Sequence, residues 1–239
     1  MNFDKDQKLL QVFKDKRVAI VGPSPHLIGK KLGKHIDSYD IVCRVNEVCA
    51  LGYEEDYGTR TDIVFHNCGT RFIDIFGERL KESENISKNL KYVICPCVKA
   101  TGADNQWFSW PANHVSPVVE NFKKINFYNI PFYWIGLSNY RRVYNIYGVE
   151  PNAGQTSILL LLQHNIKELF ITGFSFYIQG NTPSEAHRPG HTNKGLENES
   201  IGNPGHPQIP QMRVFKNVIY QRYKDKIVVD PFLKNLLNI

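Results

Sequence analysis

Two hydrophobic patterns alternate along the chain. Short runs rich in β-branched residues, closed by glycine, proline or asparagine, read as buried strands near 17–22, 39–45, 61–66, 91–96, 131–135, 167–173 and 226–229. Between them, apolar residues recur at helical spacing near 26–36, 71–88, 116–123, 137–146, 154–164 and 211–223. An opening amphipathic helix over 4–13 is expected to turn Leu9, Leu10, Val12 and Phe13 inward. The segment 154–164 is apolar nearly all round, so its helix should be packed on both sides. Strand–helix alternation of this kind calls for an α/β fold: a Rossmann-like, mostly parallel sheet with helices on both faces. At 239 residues, the chain suits a single domain spanning 1–239 with a sizeable core.

One stretch follows neither pattern. Residues 179–210 are rich in Gly, Pro, Asn and His, with few aliphatics. Loops this long inside compact domains are usually functional or disordered. The stretch comes soon after the strand end Gly173-Phe174 and carries His187, His191 and His206, so it is expected to be an active-site lid.

The candidate chemistry sits at strand ends. Val18-Ala19-Ile20-Val21 runs into Gly22-Pro23-Ser24. A strand entering a Gly/Ser turn and then a helix presents unpaired N–H groups, which together with the helix dipole suit a phosphate. Asn46 follows the second strand at its carboxyl end, where ligands sit in open α/β sheets, and Asn67 follows the third. Pro151-Asn152-Ala153-Gly154 opens the buried helix. Taken locally, Gly22 and Ser24 could equally serve only to turn the chain, and Asn46 only to cap its strand. A dinucleotide-binding oxidoreductase would need Gly-x-Gly-x-x-Gly after the first strand, and Gly22-Pro23-Ser24-Pro25-His26-Leu27 does not supply it.

The order and spacing of these segments carry a resemblance. Gly22-Pro23-Ser24, Ile36-Asp37-Ser38-Tyr39-Asp40, Arg44-Val45-Asn46 and Gly52-Tyr53-Glu54-Glu55-Asp56-Tyr57-Gly58-Thr59-Arg60-Thr61 together make residues 18–62 similar to the long sialylmotif of the sialyltransferases, glycosyltransferase family 29. Residues 150–174, with the Asn152-Ala153-Gly154 turn and the Gly173-Phe174 strand end, resemble the short sialylmotif. His206 matches a family histidine followed five residues later by Glu, although Gln211 stands at that later position here. A second family histidine falls to His191 or His187, and the sequence leaves that choice open.

The resemblance implies a sialyltransferase-like variant of the GT-A fold. It also implies transfer of an acidic keto-sugar, sialic acid, from a CMP-sugar to a glycan hydroxyl, with inversion and without a metal. No cofactor is implied; the CMP-sugar is the donor substrate and a glycan is the acceptor. His206 would be the base for the acceptor hydroxyl, and His191 or His187 would hydrogen-bond the leaving phosphate. Gly22, Pro23, Ser24, Asn46, Asn67, Asn152, Ala153, Gly154, Gly173 and Phe174 would hold the nucleotide. Two departures fall on the nucleotide side. Pro23 replaces a family asparagine and has no N–H, and the Pro-Ser-Thr-Gly-like turn has lost two hydroxyls. They keep open a CMP-Kdo transferase of surface polysaccharide synthesis. Gln211 keeps open a non-catalytic nucleotide- or glycan-binding relative, against which His206 argues.

Composition adds a location. The family's animal members carry a disulfide whose two positions fall at Val18 and Ile166 here, both aliphatic. Five scattered cysteines (Cys43, Cys49, Cys68, Cys95 and Cys97) make no Cys-x-x-Cys pair and read as free thiols of a reducing compartment. No run of about twenty apolar residues exists, and the charged start from Met1 to Lys8 lacks the apolar stretch of a signal peptide. The expected place is the cytoplasm, peripheral at the inner membrane. A net charge of +6 suits an anionic donor and loose contact with an anionic membrane surface. The basic residues are dispersed in doublets without a nucleic-acid motif, so no nucleic-acid partner is expected. Trp107, Phe108 and Trp110 read either as a stacking platform for the acceptor sugar or as core aromatics.

Overall fold

A computed structural model describes residues 7–99, 106–111, 113–177 and 207–239. Seven strands form one fully parallel sheet in the order β5-β4-β3-β2-β1-β6-β7. They are β1 (Arg17–Val21), β2 (Ile41–Val45), β3 (Ile63–Phe65), β4 (Tyr92–Cys95), β5 (Phe132–Trp134), β6 (Glu168–Thr172) and β7 (Ile227–Val229). Each lies inside its sequence-predicted segment. The helices are α1 (Gln7–Phe13), α2 (Gly33–Asp37), α3 (Glu54–Tyr57), α4 (Ile73–Glu82), α5 (Glu84–Ser87), α6 (Val118–Ile125), α7 (Gly136–Tyr147) and α8 (Ala153–Leu162). After the undescribed segment come α9 (Gln208–Val214), a π-helical stretch (Phe215–Tyr220), α10 (Gln221–Tyr223) and α11 (Pro231–Leu237).

The central strands are buried on both faces, and alternation sorts their side chains. Val18 and Ile20 of β1 join a core with Ile41, Cys43, Leu169 and Ile171, which α8 covers with Ile158 to Leu162. Ala19 and Val21 face the other way, onto Val42, Phe170 and Tyr57. This is the two-faced α/β arrangement that the alternating pattern demands. Gly154 through Leu162 of α8 are all buried, as its all-round apolar character requires. In α1, Leu9 and Phe13 are buried, whereas Leu10 and Val12, expected inward, are half-buried.

Four expectations need correction. The helix expected over 26–36 is absent. Pro25–Leu27 makes one tight turn, and α2 starts only at Gly33. Between them Gly29 and Lys31 take left-handed backbone (φ 77° and 53°), and the Asp56 carboxylate accepts both of their N–H groups at 2.8 Å. A carboxylate satisfying two N–H groups replaces the helical ladder there. The helix expected over 71–88 breaks at Ser83 into α4 and α5. The helix expected from 211 begins at Gln208, so the last residues of the expected lid belong to α9; residues 178–206 lie outside the described ones. Finally, α11 was not anticipated, although its start is legible: Asp230 caps it by accepting the Leu233 N–H at 2.8 Å, and Pro231 takes the first helical position.

All five cysteines are unpaired; Cys43, Cys68 and Cys95 are buried. Val18 and Ile166 pack in the same core. Among the described residues no helix is long and apolar enough to cross a membrane.

Candidate functional site

Chain order reverses between β1 and β6, since β1 runs on to β2 on one side while β6 flanks the other. In open α/β sheets ligands bind at the carboxyl edge of such a point. There β1 and β6 continue past their ends in close contact. The Gly22 N–H donates to Thr172 O at 2.8 Å, and the Ser24 N–H donates to Gly173 O at 2.9 Å. A Cβ on Gly22 would lie 2.4 Å from Gly173 O, so only glycine lets the two chains pass. These contacts also use up the turn. With Pro23 lacking an N–H, Gly22-Pro23-Ser24 has no free backbone donor for a phosphate, contrary to the sequence expectation.

Free donors lie instead at the start of α8. Asn152 is spent as its cap: Oδ1 accepts the Gln155 N–H at 2.9 Å, and Nδ2 donates to Gln208 Oε1 at 3.2 Å. Its backbone N–H donates to Gln211 Oε1 at 3.0 Å. The next two N–H groups, of Ala153 and Gly154, have no acceptor among the described residues. They sit at the positive end of a ten-residue helix, where an anion is favoured. The Phe174 ring borders both Gly154 and Gly22: a Cβ at Gly154 would stand 2.7 Å from Phe174 Cε1, and one at Gly22 would stand 3.0 Å from Phe174 Cδ2. One aromatic side chain thus draws Gly22, Gly154, Gly173 and Phe174 together.

The parallel register Val21↔Arg44 carries Asn46 level with Pro23 on the neighbouring strand end. Asn46 has left-handed backbone (φ 64°), and its N–H donates to Phe65 O at 2.7 Å. Its Oδ1 is buried with no hydrogen-bond partner among the described residues. An unpaired buried acceptor costs about 1–3 kcal/mol, so this atom has acceptor capacity to spare for a donor. Behind it Arg44 is fully buried (0% exposed). Its guanidinium donates to the carbonyls of Tyr57, Gly58 and Arg60 and to Thr61 Oγ1. Burial pushes its pKa down to about 10. Asn67, by contrast, turns its Oδ1 inward to the Gly69 N–H at 3.1 Å.

Sequence reasoning missed the support beneath Ser24. The Ser24 hydroxyl meets His26 Nδ1 at 2.8 Å, and His26 Nε2 meets Asp230 Oδ2 at 3.0 Å. The same oxygen accepts from Thr172 Oγ1 at 2.9 Å and from the Gly173 N–H at 3.0 Å. Burial pushes the Asp230 carboxyl up, but hydrogen bonds from His26 and the Leu233 and Gly173 N–H groups outweigh it and hold the pKa below the ordinary value. Asp230 is therefore an acceptor-only carboxylate, so His26 donates to it through Nε2. The Ser24 hydroxyl is committed to this array. Tyr57 adds a hydrogen bond to Ser24 O at 2.8 Å. No pattern in the sequence links Asp230 to the first turn, 204 residues away.

His187, His191 and His206 lie outside the described residues. Of the three candidate aromatics, Trp107 is core (3% exposed), edge-on to Tyr140 and Tyr144, while Phe108 is 65% exposed. Trp110 packs partly on the core, 4.0 Å from the His114 ring. Among the described residues, no group of His, Cys, Asp or Glu is arranged to hold a metal.

The sheet order and this polar edge define a doubly wound α/β protein with its candidate ligand groups at the switch point. Residues 5–121 match glycosyltransferase family 29 (sialyltransferase). That match takes in just under half of the chain. The chain is 28% identical over 182 residues to a chicken (Gallus gallus) CMP-N-acetylneuraminate-beta-galactosamide-alpha-2,3-sialyltransferase 1, covering 71% of this chain and 47% of that protein. Over 46 residues it is 50% identical to the mouse (Mus musculus) type 2 lactosamine alpha-2,3-sialyltransferase, 19% of this chain and 14% of that one. The chain thus spans about half or less of the curated relatives it matches.

Solved structures share its fold. The Campylobacter jejuni sialyltransferase CstII, in complex with the substrate analogue cytidine-5'-monophosphate, aligns with TM-score 0.55 at 17% identity, over 93% of this chain and 84% of that one. A mammalian sialyltransferase in complex with Gal-beta-1-3GalNAc-ortho-nitrophenol aligns with TM-score 0.55 at 18% identity, over 92% of this chain and 71% of that one. At these identities the likeness is one of fold.

Proposed function

We propose that the chain is a glycosyltransferase that moves sialic acid from a CMP-sugar to a glycan hydroxyl, inverting the anomeric centre without a metal. The match of residues 5–121 to the sialyltransferase family and the names of the chain's relatives support the reaction class. The cytidine monophosphate held by CstII supports the donor. The single observation that carries the reading to this chain is the pairing of unspent groups at one sheet edge. Among the described residues Asn46 Oδ1 lacks a partner, and the Ala153 and Gly154 N–H groups of α8 lack acceptors. An anionic nucleotide has complements for both: phosphate oxygens accept from Ala153 and Gly154, and a nucleotide hydroxyl or amine donates to Asn46.

In this reading the Gly22 crossing and Phe174 form the wall of the site, and the Asp230–His26–Ser24 array fixes the wall. The backbone N–H groups of the Gly22–Ser24 turn give no phosphate contact in this reading, because they are used internally. His206 takes the proton of the acceptor hydroxyl as that oxygen bonds to the anomeric carbon and the bond to the CMP phosphate breaks. The N–H groups of α8, with His191 or His187, offset the charge left on the phosphate. Pro207, the chain neighbour of His206, leads into α9, whose Gln208 and Gln211 grip Asn152. We place the chain in a reducing compartment, supported by five unpaired thiols and by Val18 and Ile166 in the core.

The test is a pair of variants. Asn46→Ala is expected to weaken CMP binding by isothermal calorimetry while leaving the melting temperature of the free protein nearly unchanged, since removal of a buried unpaired acceptor offsets the strain of alanine in left-handed backbone. His206→Ala should lower turnover by about a hundredfold or more with CMP affinity nearly intact. Unaltered CMP affinity in the first removes Asn46 from the site, and normal turnover in the second removes His206 as the base.

A further inference from the structure

We propose that Gln211 is a positioning residue that holds the first turn of α8 ready for an anion, and that this position requires a neutral amide. The inference deepens the proposed function and rests on it for the identity of the anion. Gln211 is fully buried (0% exposed) in α9. Its Oε1 accepts the Asn152 N–H at 3.0 Å, while its Nε2 donates to Pro207 O at 3.2 Å and to Glu150 O at 3.5 Å. Gln208, from the same helix, accepts from Asn152 Nδ2 at 3.2 Å. Asn152 is therefore clamped from α9 at both its backbone and its side chain, and its own Oδ1 fixes Gln155. With residue 152 held this way, the N–H groups of Ala153 and Gly154 are left as the free ones.

Only an amide fits the clamp at neutral pH. One end must accept and the other must donate, and an ionised carboxylate only accepts. A carboxylate here would face the Pro207 and Glu150 carbonyls without a proton to offer. It would also put a buried negative charge one residue from the N–H groups that receive phosphate. The charged neighbours do not relieve this. The Glu150 carboxylate is paired with Lys99 at 2.8 Å and lies 3.4 Å from the Tyr140 hydroxyl. On α7, which packs against α9, Arg141 donates to the Phe108 and Trp110 carbonyls, and Arg142 donates to Asn139 Oδ1. Arg213 on α9 itself is exposed. A protonated carboxylic acid, however, has the amide's pattern, with C=O accepting and O–H donating. Burial and the nearby Glu150 charge would raise its pKa, so acid should restore the clamp.

The experiment uses Gln211→Glu in the full chain and compares it with the parent protein at each pH. At about pH 8, CMP affinity by calorimetry is expected to fall about tenfold, and the ratio to the parent should return toward one by about pH 6. In the ligand-free proteins, hydrogen exchange at residues 152–155, corrected for intrinsic rates, should be faster in the variant at high pH and match the parent at low pH. Parent-like affinity and exchange at every pH would overturn the proposal. So would an equal loss at every pH, which marks structural damage. If the parent itself does not bind CMP, the functional reading fails while the exchange result alone decides the clamp. Should Q211E not fold, Gln211→Met, which keeps the bulk and removes both hydrogen bonds, must speed exchange at 152–155 at all pH values; unchanged exchange overturns the clamp.

Discussion

At the scale of single residues, the site is held by contacts with little tolerance, and they rank. A Cβ at Gly22 meets backbone, 2.4 Å from Gly173 O, whereas one at Gly154 meets the edge of the Phe174 ring at 2.7 Å. A ring can shift more cheaply than a paired strand end. Gly22→Ala is therefore expected to lose more stability than Gly154→Ala in urea denaturation, about 3 kcal/mol against about 1–2. Gly154→Ala should show its larger effect on CMP affinity. Equal losses would mean that the strand crossing is looser than drawn. Asp230 gives a pH prediction. Its folded pKa is depressed, so its contribution is fully present above the unfolded value of about 3.9 and is lost as pH falls through the folded pKa. Asp230→Asn should cost about 2–3 kcal/mol at pH 7 and flatten the acid limb of the stability–pH curve. An acid limb with the parent's slope would show that the carboxylate contributes nothing specific. None of this was legible in the sequence, because hydrogen bonds from residue 230 to residues 26 and 172 depend on strand order, not on local pattern.

At the scale of elements, periodicity did well where packing follows composition and poorly where side chains capture backbone. The β-branched runs of β1, β2 and β6 and the all-round apolar α8 are buried as their patterns require. The failure at 26–36 has an identifiable cause: Asp56 collects the Gly29 and Lys31 N–H groups, and nothing near 26–36 announces a carboxylate at 56. That error reached the site, since the unspent helix-start N–H groups lie at α8 and not after β1. The Pro151-Asn152-Ala153-Gly154 turn reads in the sequence as a binding turn, and in the structure Asn152 caps α8 there. Hydrogen exchange tests the hierarchy. Amides in the middle of α8 should open only with global unfolding, whereas those of the short, half-exposed α5 should exchange by local opening. Similar opening energies for the two would contradict the picture of α8 as the central core element.

At the scale of the whole molecule, the parallel order β5-β4-β3-β2-β1-β6-β7 makes one edge the place where distant segments meet. Asn46 arrives from β2, Gly22 from β1, Phe174 from β6, Gly154 from α8 and the clamp from α9. The family pattern in 18–62 and 150–174 made that meeting legible before the structure, but the three histidines of 178–206 fall outside the described residues. The central claim is that this edge holds a cytidine nucleotide. A thermal-shift series with CMP, UDP, GDP, NAD and the matching nucleotide sugars tests it most directly, because a ligand bound only by the native state raises the melting temperature. CMP and CMP-sialic acid are predicted to give the largest shifts, and Asn46→Ala to abolish most of them. A larger shift with any nucleotide outside the cytidine series, or a CMP shift that survives Asn46→Ala intact, would contradict the account.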